Sequence, residues 1–225
     1  MSVHSVVVFA PTRPGDEALV RTRWIADCTL AMLRSESIEP LPLLDDQATR
    51  ANLEASATGS VRGLAILAHG RDSHIGSAGS RAGRAVRDDA ILGADGAPAL
   101  DRDNLHVTCT RWVHAIACYA GVELGAQAVH AGAVCFVGYD CALLVDWDPA
   151  ALPAEIEPLI RELVTVTTRN LARGERDLRA LQAQAEQIAE NISAWCMEHE
   201  DDAEGLEATA HQLVARMRCF LPEPS

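Results

Sequence analysis

Lysine is absent from this sequence: all 19 basic residues of the 225-residue chain are arginines. A Walker A loop, a kinase phosphate-binding lysine, a Schiff-base aldolase or pyridoxal-phosphate enzyme and a Ser–Lys dyad all need that amine, so these classes are excluded together. Long apolar runs are absent too. None approaches the roughly 18 residues that a membrane helix needs. The opening stretch, MSVHSVVVFAPTRPGDE, lacks the basic region of a secretory signal. A cytoplasmic location with no membrane partner is therefore expected. Positive charge is scarce: 19 basic residues stand against 32 acidic ones, a net charge of −13. That argues against nucleic acid as the main partner, because neutralising a phosphate backbone needs a basic surface. Finally, the seven cysteines contain no CxxC pair. An odd number with such spacing speaks against a disulfide framework, and most are expected to be buried free thiols.

What is present suits one α/β core with a helical appendage: 225 residues, 48% of them hydrophobic, with mean hydropathy +0.03. Residues 3–9 read as a strand buried on both faces and stopped by Pro11, Pro14 and Gly15. A helix capped by Asp16 is predicted over 16–34, a proline-bounded edge strand over 39–44 and a second helix over 45–57. Residues 63–68 form the next apolar strand, which stops at His69-Gly70, and the Gly-, Ser- and Arg-rich segment 71–83 reads as a surface loop. Asp95-Gly96 signals a hairpin between 89–92 and 97–100. A strand over 113–118, a helix over 122–131 and a strand over 133–139 follow. The alternation predicts an α/β fold, a mainly parallel sheet sandwiched by helices, across residues 1–150. Residues 151–225 read as a C-terminal helical extension packed on that core, with one helix over about 155–196 and another over about 203–220.

Open α/β sheets bind ligands at the carboxyl ends of their strands. Two such ends carry reactive groups, His69-Gly70 and Cys118. If the two strands are neighbours, an imidazole base and a thiol meet at one sheet edge, and the N-terminus of the 122–131 helix favours the thiolate. The backbone N–H groups of Gly70 and Cys118 then make an oxyanion hole.

An apolar strand ending in His69-Gly70, followed by one ending in Ala117-Cys118-Tyr119-Ala120-Gly121, resembles the caspase-like cysteine peptidases: caspases, metacaspases, legumains and, closest, bacterial CHAT-type domains. His69 precedes Cys118 by 49 residues, against about 50 in caspases. The hairpin at 90–96 and the stretch His130-Ala131-Gly132-Ala133-Val134 are similar to the CHAT type as well, so the resemblance covers residues 3–148. It implies a caspase-like fold and a peptidase in which His69 is the general base, Cys118 the nucleophile, and Gly70 and Cys118 the oxyanion donors. It further implies a protein or peptide substrate, no cofactor, and work in bacterial defence or regulated cell death. Ile116 stands where metacaspases carry an acidic residue, so their preference for basic side chains is not carried over.

Other readings compete with this one. His106, Cys109, His114 and Cys118 are residue types that bind zinc. A caspase-like scaffold without activity would act as an interaction protein, meeting a regulatory partner or a second copy through the C-terminal helices. His74 is a rival base, Arg81 and Arg84 an anion contact or self-processing site, and Asp88, Asp89 and Asp140 candidate substrate-binding or calcium-binding carboxylates.

Overall fold

A computed structural model describes residues 4–57, 59–71, 90–143, 145, 147–199 and 205–223. Its strands are β1 (Ser5–Ala10), β2 (Glu39–Leu44), β3 (Val61–Leu67), β4 (Gly70–Arg71), β5 (Ala90–Leu92), β6 (Pro98–Leu100), β7 (Trp112–Ile116), β8 (Cys135–Tyr139) and β9 (Met217–Phe220). The helices are α1 (Glu17–Ser35), α2 (Arg50–Ser56), α3 (Leu124–His130), α4 (Glu157–Arg173), α5 (Leu178–Glu198) and α6 (Leu206–Ala215). Six strands form one sheet in the order β2-β1-β3-β7-β8-β9, parallel except for β9, which runs antiparallel to β8. This is the α/β arrangement expected from the sequence, with the edge strand β2 at its expected residues.

The sheet is buried on both faces, and the two-residue strand period sorts its side chains between two cores. Val6, Val8 and Ala10 of β1 face the core built with α1, α4, α5 and α6, while Val7 and Phe9 face the one built with α2 and α3. The strands can therefore be continuously apolar, because each side chain meets a helix whichever way it points. The chain leaves β1 for β2 on one side and returns to β3 on the other. The order of strands thus reverses between β1 and β3, which puts a crevice at their carboxyl ends.

Three departures from the sequence reading have identifiable physical causes. The 45–57 segment is a single 3-10 turn, Asp45–Gln47, followed by α2, because the Thr49 side chain accepts the Asn52 N–H and starts the helix afresh. The long C-terminal helix is two: Gly174, at φ +102°, ends α4 in the left-handed region, and Asp177 caps α5. The last helix stops at Ala215, and Met217–Phe220 becomes a strand because the open edge of β8 supplies its hydrogen-bonding partners. The hairpin stands as expected and gains a third strand, giving a small antiparallel sheet in the order β4-β5-β6 directly after His69.

Candidate active site

Parallel pairing of β3 with β7 aligns Leu67 with Ile116, and the Ala68 N–H donates to the Ile116 carbonyl at 3.2 Å. The pairing ends at Leu67 and Ile116, and His69 and Cys118 each follow two residues later, at adjoining strand ends. The neighbouring glycine enforces the closeness: a Cβ on Gly70 would lie 1.8 Å from the Cys118 carbonyl oxygen and 2.8 Å from its nitrogen. Only a residue without a side chain lets the two strand ends meet in this way. A second glycine holds the loop after the thiol. A Cβ on Gly121 would lie 2.8 Å from the Gly138 carbonyl carbon, so the loop lies flat on β8, and the Gly121 N–H donates to the Tyr139 carbonyl at 2.8 Å. Both glycines of the sequence signature are thus explained by backbone contact.

His69 is held from two sides. Its carbonyl accepts the Leu92 N–H of the hairpin at 2.9 Å, and its Nε2 lies 2.8 Å from Asp16 Oδ2. The other oxygen of Asp16 accepts the Leu19 N–H at 3.2 Å and so caps α1. Burial raises the Asp16 pKa, but the hydrogen bonds from His69 and Leu19 and the charges of His69 and Arg13 outweigh it and hold the carboxyl below its ordinary value. An ionised carboxylate only accepts, so His69 Nε2 carries the proton and Nδ1 is left as the basic nitrogen. Asp16 was legible as a helix cap but not as a partner of His69. The signal that finds it is its place after β1, across the crevice from the end of β3. Arg13 closes this corner by donating to the carbonyls of Gly93 and Ala94, at 2.8 and 3.1 Å.

The thiol has a different setting from the one expected. Cys118 lies past the end of β7, and α3 begins only at Leu124, so the thiol is not at a helix N-terminus. Instead its Sγ accepts the Leu143 N–H at 3.3 Å. Tyr119 adopts φ +57° and donates its N–H to the Cys141 carbonyl at 3.0 Å. Among the described residues the Cys118 N–H donates to no backbone carbonyl.

Other candidates are placed differently. Asp140 is not a free substrate-binding carboxylate: Arg216 Nε lies 2.7 Å from it and Arg218 pairs with its second oxygen. The four zinc-type residues are not assembled. No group of three or more His, Cys, Asp or Glu stands together among the described residues. His114 is buried, with Nδ1 against Thr168 Oγ1 at 2.7 Å and Nε2 against the Tyr139 hydroxyl at 3.2 Å, and burial holds its pKa down to about 3. His74, Arg81, Arg84, Asp88 and Asp89 lie outside the described residues. Among those described, no helix is long and apolar enough to cross a membrane.

No protein-family model matches this chain, and no curated protein matches it.

Proposed function

We propose that the chain is a cysteine endopeptidase that cuts a partner protein with a caspase-like Cys118–His69 pair. The observation that supports this reading is the close approach of Gly70, next to His69, to the Cys118 backbone where the adjoining strands β3 and β7 end, with Asp16 fixing the tautomer of His69. His69 Nδ1 takes the Cys118 proton as Sγ attacks the substrate carbonyl carbon. The oxygen that becomes negative is met by the N–H groups of Cys118 and Gly70. The imidazolium then returns its proton to the leaving amine as the C–N bond breaks, leaving a thioester on Cys118. Water, deprotonated by the same nitrogen, hydrolyses that thioester. Asp16 remains a carboxylate throughout and orients the ring, as the buried acid of a triad does. Action in bacterial defence or regulated cell death rests on the family resemblance alone.

A peptide-library cleavage screen tests the reading. The wild-type chain is expected to release fragments with a defined residue before the cut, and Cys118→Ala and His69→Ala to release none. Cleavage that survives Cys118→Ala overturns it.

A further inference from the structure

Away from this site, two thiols meet across the last strand pair. Cys135 opens β8, Cys219 lies in β9, and their Sγ atoms are 3.5 Å apart. The register aligns Cys219 with Val137, so Cys135 is its diagonal neighbour on the same face of the sheet. Cys135 is fully buried and Cys219 partly exposed. A disulfide needs a separation of about 2.05 Å, so the two sulfurs, already in contact, must close by about 1.5 Å.

We propose that Cys135 and Cys219 are an oxidisable dithiol, a modification site at which hydrogen peroxide forms a disulfide that ties the C-terminal strand to the core sheet. Cys219 is the sulfur that the oxidant reaches. Its hydrogen bond with Cys135 holds its thiol below the ordinary value, against the effect of burial and with help from the Arg176 charge. The Cys219 sulfur attacks one peroxide oxygen, the O–O bond breaks, and the other oxygen leaves as water, giving a sulfenic acid. Cys135 then attacks that sulfur; the S–S bond forms and the hydroxyl leaves as a second water with the Cys135 proton. Two thiols give up two electrons and two protons, and the peroxide takes up both.

The tie bears on the neighbouring loop. Arg216 and Arg218, just before and within β9, pair with Asp140, and the Arg216 charge acts on the Cys141 thiol, partly offsetting the rise in its pKa that burial causes. The backbone carbonyl of Cys141 accepts the Tyr119 N–H beside Cys118. The proposal does not depend on what Cys118 does.

The full chain, treated with hydrogen peroxide and digested without reductant, is mapped by mass spectrometry at all seven cysteines. The expected product links Cys135 to Cys219. Closing a loop of 84 residues raises Tm by roughly 5–10 °C, reversibly with reductant. Cys219→Ser and, separately, Cys135→Ala remove that rise. Oxidation that stops at a sulfinic acid on Cys219 overturns the proposal. So does a disulfide from either residue to another cysteine, or a Cys135–Cys219 link that leaves Tm unchanged.

Discussion

Asp16 serves two partners with one carboxylate, the Leu19 N–H at the start of α1 and the His69 imidazole across the crevice. Substitutions separate the two roles. Asp16→Asn keeps a helix-capping side chain, so stability should change by less than about 0.5 kcal/mol, while the rate of the proposed peptidase should fall on the order of 10²-fold because the tautomer of His69 is no longer fixed. Asp16→Ala should show the same rate loss and a further destabilisation of about 1 kcal/mol, read by urea unfolding. Gly70→Ala tests the contact of the two strand ends. Its Cβ would lie 1.8 Å from the Cys118 carbonyl oxygen, so the loop must move; the expected results are a loss of roughly 1–3 kcal/mol and slower alkylation of Cys118. His69 and Cys118 were legible in the sequence because each follows a continuous apolar run and such runs end at the binding edge of a parallel sheet. Asp16 was not, because its cap position fully accounted for it and its second partner is 53 residues away.

Most strands and helices were legible from their apolar periods, and one misread element, β9, is decided by a distant contact. The strand β9 exists because β8 offers an open edge, a fact that no local pattern in Met217–Phe220 carries. The α4–α5 boundary did carry a signal, since Gly174 and Asp177 stand together as a stop and a start. Gly174→Ala should destabilise the chain by about 1 kcal/mol through its left-handed φ without affecting Cys118 reactivity. The hairpin β5–β6 acts on the site from outside the main sheet by receiving Arg13 and by donating the Leu92 N–H to His69. Arg13→Ala should loosen that corner, so hydrogen exchange at Leu92 and at residues 93–96 should quicken while the strands of the main sheet stay protected.

In the whole molecule, α4 through α6 pack against one face of the sheet, and β9 closes its far edge. One buried group there sets the response to acid. His114 is held neutral between Thr168 and Tyr139, with its pKa lowered by burial to about 3 from the ordinary 6.5. The unfolded chain takes up that proton first, so stability should fall as the pH drops from 6.5 towards 3, by roughly 3 kcal/mol at pH 4. His114→Gln keeps hydrogen-bonding atoms but does not titrate, and should flatten that slope in urea unfolding followed against pH. Asp16 adds a smaller loss at lower pH: its stabilising charge is complete above the ordinary carboxyl value of 3.8 and disappears as the pH falls through the lower folded value. The central claim is that Cys118 and His69 form a working pair, and the most direct test is competitive alkylation of the native protein at mildly acidic pH, with all seven cysteines mapped by mass spectrometry. The account predicts that Cys118 labels first and that His69→Ala and Asp16→Asn slow it. Labelling of Cys118 no faster than that of Cys109 or Cys141, or unchanged in the His69 variant, would contradict it.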